Sequence, residues 1–293
     1  MKAVMPLAVL STAVIILGTD EAGYGPNLGP LVVSLTAWEA EPERLSLLFE
    51  PLKKEGISIG DSKKIYHSGT VAALETGVLV PLRTLKNDAV PIANNKEKID
   101  QLAMKFETLL QQHHVRLLDM QCRSIEPEEF NRLLDRFDSK GTLLSHITLR
   151  LIAGQLTTLT ADCGDAPVLV LCDKHGGRNH YLDLLTEFFP GEFIQIVQES
   201  RESSVYRWTS AGRKHEFRFL TKGEAQLPVA LASMLSKYYR ELAMIQFNAF
   251  WRSHIPDLRP TAGYPEDAVR FRQEIAAVQK HLGIAENSFW RKR

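Results

Sequence analysis

The chain has little of what would classify it at once. Its 293 residues include only three cysteines, Cys122, Cys163 and Cys172. None stands at C-x-x-C spacing, so neither a zinc site nor a disulfide framework is implied, and a reducing cytoplasmic setting fits. There is no excess of either charge, with Lys+Arg and Asp+Glu at 35 each. No global positive field therefore announces a nucleic-acid partner, although a local basic strip is all that phosphate contacts need. No stretch reaches the ~20 apolar residues of a membrane helix. Residues 3–17 are apolar and follow Lys2, much as in a weak signal peptide. Cleavage there would remove the strand that leads to Asp20 and Glu21, so none is expected. A start codon placed too early accounts for the extra residues equally well. What remains, 44% hydrophobic and 24% charged, is an ordinary globular composition. The length suits one large domain or two small ones.

The most informative stretch is IILGTDEAGYGPNLGP, residues 15–30. An apolar run, Val14 to Leu17, ends at Gly18 and leads to two adjacent acids, Asp20 and Glu21. A loop with Gly23, Gly25, Pro26, Gly29 and Pro30 follows, then a second apolar run, Leu31 to Leu35. Short apolar runs bounded by glycine and proline predict buried strands, here neighbours joined by a wide turn. Successive strand side chains point to opposite faces, so Asp20 and Glu21 cannot both enter one core. One of them needs a compensating charge, and a divalent metal is the obvious candidate. For an isolated Asp-Glu pair, a solvated strand end is the commoner explanation. The loop is no P-loop, because GYGPNLGP lacks the Gly-Lys-Ser/Thr ending.

Further along, Asp61-Ser62-Lys63-Lys64 predicts a turn held by the Asp and Ser side chains, with lysine charge available to a phosphate. Taken alone, it would be an ordinary solvated turn. Helices are predicted over 68–82, 95–115 and 142–159, and another begins near Pro127 with Ser124 as its cap. His113 and His114 favour a helix C-terminus over a metal, since nothing downstream pairs with them at ligand spacing. Pro167 to Cys172 is wholly apolar, the mark of a strand buried on both faces. It ends at Asp173, where site residues sit in α/β sheets. Beside it, His175 reads as a ligand, a base, a substrate contact or a plain structural histidine. Residues 193–197, 204–208 and 217–220 alternate aromatic and basic side chains, which predicts an inserted β-hairpin. That hairpin suits either base stacking and phosphate contacts or simple half-burial. Lys222-Gly223-Glu224-Ala225 then introduces a small-residue helix around Ala230, Ala232, Ser233 and Ser236, carrying Lys237 and Arg240. Thr261 to Pro265 leads to a closing helix, 265–281, and a basic end.

Taken together, these segments resemble the type 2 ribonucleases H, ribonuclease HII and its relative HIII. DEAGYGPNLGPLVV is similar to their DEAGRGPxxGPVV signature and DSKK to their DSKKL. Asp173 matches a strand ending in Asp-Gly, KGEA resembles KGDA, and ALASMLSKYYRE resembles ASILAKVYRD. AGY, ending at Tyr264, is similar to KGY. The resemblance runs from Ile15 to about Phe271, with divergent insertions at about 70–115 and 178–221. It implies an α/β fold over 14–293, a ribonuclease H-like mixed five-stranded sheet flanked by helices, with a helical C-terminal part and an inserted β-hairpin. It further implies a monomeric endonuclease acting on RNA–DNA hybrid or ribonucleotide-containing duplex. Asp20, Glu21, Asp173 and Glu224 would be its catalytic residues and would hold two Mg²⁺ or Mn²⁺. Gly23, Tyr24, Gly25, Lys63, Lys237, Arg240 and Tyr264 would meet the substrate. Two departures stand out. Tyr24 occupies the place of an arginine that approaches the ribose 2′-OH in ribonuclease HII, and Glu224 replaces an aspartate, as it does in ribonuclease HIII. A weakly catalytic nucleic-acid-binding protein, or a nuclease on another substrate, is the alternative.

Overall fold

A computed structural model describes residues 13–66, 70–85, 95–137, 139–162 and 164–292. The apolar residues before 13, the expected helix start at 68, Asp138, Cys163 and Arg293 lie outside them. The strands are β1 Val14–Ala22, β2 Leu31–Ala40, β3 Arg116–Ile125, β4 Val168–Asp173, β5 Gln195–Glu199, β6 Ser203–Ser210 and β7 Arg213–Leu220. The helices begin with α1 Pro42–Ser46, α2 Phe49–Lys54, α3 Ser62–Ile65, α4 Ala72–Thr84 and α5 Lys96–Gln112. They continue with α6 Pro127–Phe137, α7 Lys140–Asp162, α8 Leu182–Phe188, α9 Leu227–His254 and α10 Pro265–His281.

All seven strands form one mixed sheet in the order β3-β2-β1-β4-β7-β6-β5. The expected α/β class and the inserted hairpin hold, but the sheet has seven strands rather than five. The hairpin region is part of the sheet, because β7 pairs in parallel with β4, from Val168 opposite His215 to Asp173 opposite Leu220. The turn at Ala211 and Gly212, both at positive φ, then carries the antiparallel pairing of β6 with β7. The aromatic residues of that pair, Tyr206, Trp208, Phe217 and Phe219, are buried in the core and cannot stack on a base. Arg207 and Arg218, on the other face, both pair with Glu216. Half-burial by alternation is therefore the reading that survives.

Three strands, β1, β4 and β7, run parallel at the centre. Apolar residues leave β1 and β4 on both sides, which is why these strands read as unbroken hydrophobic runs. Ile16, Leu169 and Leu171 join Trp38 and the apolar sides of α4, α5 and α9. Ile15, Leu17, Val168 and Val170 meet residues of α7 and α8. Helix α9 lies directly on β1. A side chain at Gly18 would run into the backbone of Pro228, so only glycine lets the start of that helix approach so closely. Thr36 on β2 secures the same point by donating to the Pro228 carbonyl at 2.8 Å. Ser124 is the penultimate residue of β3, bonded to Glu126, rather than a helix cap. Among the described residues no helix is long and apolar enough to cross a membrane.

Candidate active site

The parallel arrangement places the carboxyl ends of three central strands together. β1 pairs with β4 up to Thr19 and Cys172, so Asp20 and Asp173 are the next residues on adjacent strands. Neighbouring strands are about 4.8 Å apart, and parallel partners project to the same face. Glu21 follows on β1 with the opposite orientation. Beyond β7, Lys222 adopts a left-handed conformation, φ 62°, and a single 3₁₀ turn, Gly223–Ala225, presents Glu224. The Gly223 amide donates to Asp173 Oδ1 at 3.0 Å, tying this turn to the end of β4. A non-glycine residue held at positive φ beside such a cluster is the kind of local strain that gathers at functional sites.

These acids border a cleft of about 290 Å³. Every catalytic and substrate-contact residue that the resemblance implied lines it: Asp20, Glu21, Gly23, Tyr24, Gly25, Lys63, Asp173, Glu224, Lys237, Arg240 and Tyr264. The glycine loop forms one wall. Gly23 takes φ 88°, and a side chain there would meet the Pro30 carbonyl and Arg240. Asp61 caps α3 by accepting from the Lys63 amide at 3.0 Å, as its turn chemistry predicts. Ser62 instead bonds Ser233 of α9 at 3.0 Å, and Ser233 in turn bonds the Asp20 carboxyl. Ser236 fixes the same strand end by donating to the Asp20 carbonyl at 3.0 Å.

Burial and mutual charge raise three of these acids, Asp20, Glu21 and Asp173. Burial, then the charges of Asp173 and Glu224, push Asp20 up to about 7 despite bonds from Ser233 and the Glu21 amide. Glu21 is driven well up by burial, then by Asp20 and Asp173. Burial and Glu224 also raise Asp173, against the pull of the Gly223 amide and Lys63. As they stand, no three His, Cys, Asp or Glu side chains among the described residues are arranged to hold a metal ion. Carboxylates without a cation repel one another, and that repulsion opposes convergence.

The basic side chains are less free than expected. Lys237 donates to Glu241 at 2.6 Å and sits 4.2 Å from the centre of the Tyr66 ring. Arg240, only 2% exposed, donates to the Ala262 carbonyl at 2.9 Å and contacts Glu241 at 3.3 Å. His175 is a structural histidine. It lies outside the cleft lining, buried, with Nδ1 sharing a hydrogen bond with Ser145 at 3.0 Å. Its ring packs edge-on against Tyr181 and Phe219. Burial and the charge of Arg178 depress it to about 3, so it stays neutral. Three contributors escaped the sequence reading. Ser233 and Ser236 looked like mere small packing residues, although their i, i+3 spacing toward the sheet was a signal. Arg291 lay in what reads as a basic tail, yet it is completely buried.

No known family profile and no curated protein matches the chain. Several solved structures are similar to it. The ribonuclease HII of Archaeoglobus fulgidus, from its complex with PCNA, is 18% identical, with 96% of this chain and 95% of that one aligned and a TM-score of 0.44. The ribonuclease H2 of Pyrococcus horikoshii OT3 is 15% identical over 94% and 92% of the two chains, TM-score 0.44. The Bst ribonuclease HIII in complex with Mn²⁺ is 16% identical over 99% and 71%, TM-score 0.43.

Proposed function

We propose that this chain is a metal-dependent endonuclease that hydrolyses the RNA strand of RNA–DNA hybrids, with residues 14–293 acting as one catalytic domain. The observation that carries this reading is the meeting of four acids at one end of three parallel strands, with the charge of Lys63 acting on Asp173. Buried carboxylates without counter-charge destabilise a fold unless something pairs with them. The donor set is all oxygen, which fits Mg²⁺ or Mn²⁺ and excludes a thiolate or imidazole site. Asp20, Glu21, Asp173 and Glu224 would hold two such ions, which in phosphodiester hydrolysis activate water and stabilise the leaving oxygen.

The chain's own residues do the remaining work. Gly23, Tyr24 and Gly25 bring backbone close to the sugar, where a 2′-OH distinguishes RNA from DNA. Lys63 and Lys237 supply positive charge for the phosphates on either side of the cut bond. Arg240 supports the glycine loop from below, and the half-exposed ring of Tyr264 offers a sugar-packing surface. With Tyr24 where ribonuclease HII carries arginine, hydrolysis of hybrids is favoured over excision of single ribonucleotides. Three labelled duplexes test this, each with Mg²⁺ or Mn²⁺: an RNA–DNA hybrid, DNA with one ribonucleotide, and plain DNA. Cutting of the hybrid in preference to the other two is expected. Absence of metal-dependent cutting from all three would move the reading to a nucleic-acid-binding protein.

A further inference from the structure

Residues 290–292 are stitched onto the glycine loop. Trp290 makes an antiparallel bridge to Leu28, and the Arg291 amide donates to the Asn27 carbonyl at 2.8 Å. Asn27 returns a bond from its side chain to the Arg291 carbonyl at 3.2 Å. The Arg291 guanidinium lies fully buried over the Phe130 ring, 4.5 Å from its centre. From there Nη2 donates to the Gly23 carbonyl at 2.6 Å and also reaches the Pro26 carbonyl, which Nε meets at 3.0 Å. Asn131 clasps the segment from the far side, donating to the Trp290 carbonyl and accepting from the Lys292 amide.

This geometry has a consequence for the cleft. The described peptide bonds are all trans, so the carbonyl of one residue and the amide of the next point in opposite directions. Holding the Gly23 carbonyl against a buried guanidinium therefore turns the Tyr24 amide away from it, on a loop whose residues Gly23, Tyr24 and Gly25 border the cleft. Among the described residues no acceptor meets that amide. A charged, forked donor suits this task, because it holds two carbonyls of one loop in a fixed relation where a lysine would hold one.

We infer that Arg291 is a positioning residue of the cleft, which sets the peptide planes of the glycine loop so that the Tyr24 amide is presented to the substrate sugar. The inference rests on the nuclease reading above for its substrate, but not for the state of the loop. Arg291 touches no substrate atom; it acts through Gly23 and Pro26.

Two arms, both on the full chain, test it. Arg291→Gln and Arg291→Lys are compared with Arg272→Gln, because Arg272 tethers the same segment through Glu286 and Trp290 without touching the loop. The first arm follows hydrogen exchange of the peptide spanning 21–30. Exchange about ten-fold faster there in Arg291→Gln is expected, with β4 and α9 unchanged and Arg272→Gln like wild type. The second arm measures hybrid cleavage. Misplacing a reacting group by about an ångström costs about 100-fold, so kcat should fall roughly 10- to 100-fold with KM little changed. Arg291→Lys should recover part of it. Unchanged exchange over 21–30, a uniform rise over the whole chain, or a normal kcat in Arg291→Gln would overturn the inference. If wild type cleaves no duplex, the nuclease reading fails, and the exchange arm alone decides whether Arg291 sets the loop.

Discussion

About two turns of α9 separate two ways of keeping a carboxylate out of water. At Glu241, burial favours the neutral acid, but Lys237 and Tyr66 bond it and the charges of Lys237 and Arg240 act on it, so its pKa is held below the ordinary value. Around Ser233, Asp20 faces other acids, and burial with Asp173 and Glu224 pushes it the other way, up to about 7. Both regions are carried by the same helix, packed on the same sheet. One is complete in itself. The other gathers acids that raise one another in a cleft, the pattern expected where a ligand brings positive charge.

The comparison breaks most visibly in activity. Asp173→Asn is expected to lower hybrid cleavage by about 1,000-fold or more, since it removes an oxygen proposed to hold metal at the centre of the cluster. Glu241→Gln should be the reverse case, costing stability. Removing one partner from a buried, bonded ion network costs about 2–3 kcal/mol, read as a lower denaturation midpoint. Asp20→Asn sharpens the contrast. In metal-free buffer at neutral pH it should raise stability by roughly 1–3 kcal/mol, because an ionised acid in that position is itself unfavourable.

The pH dependence of the two regions should have opposite signs. Asp20 is raised in the folded state, so no penalty exists below its ordinary value of 3.8. Metal-free stability then falls as pH climbs from there to about 7. Glu241 is depressed, so its contribution is present above its ordinary value of 4.5 and is lost as pH drops through the folded value. Denaturation of wild type, Asp20→Asn and Glu241→Gln between pH 3 and 8 separates the two. If Asp20→Asn leaves the neutral-pH decline in place, the cluster is not its source. The smallest effect is expected at Tyr24→Arg, which should raise cutting at a single ribonucleotide several-fold relative to the hybrid by restoring a charged contact.

Much of the site was legible because its chemistry is local. Asp20, Glu21 and Asp173 lie at the ends of strands and Glu224 in the turn after one, and strand ends are marked by apolar runs stopping at glycine or acid. The α10 boundaries were equally plain, with Pro265 at the start of the helix and apolar residues at helical spacing. What escaped was non-local. β7 reads as half of an inserted hairpin, because its alternation shows one buried face but not which strand lies beside it. Only the parallel pairing with β4 makes it central. Arg291 stands in a run of basic residues, and nothing in that run announces that its carbonyl partners lie more than 260 positions earlier. His175, two positions past Asp173, stayed open for the same reason, since its partners Ser145 and Tyr181 are not its neighbours in sequence.

Calorimetric titration of Mg²⁺ and of Mn²⁺ into the full chain tests the central claim most directly, with Asp173→Asn and Glu241→Gln alongside. Two ions should bind wild type near neutral pH with release of protons from the acid cluster. Glu241→Gln should bind as wild type does, and Asp173→Asn should lose at least one ion. Wild type that binds neither metal at millimolar concentration, or Asp173→Asn that binds both ions unchanged, would contradict the account.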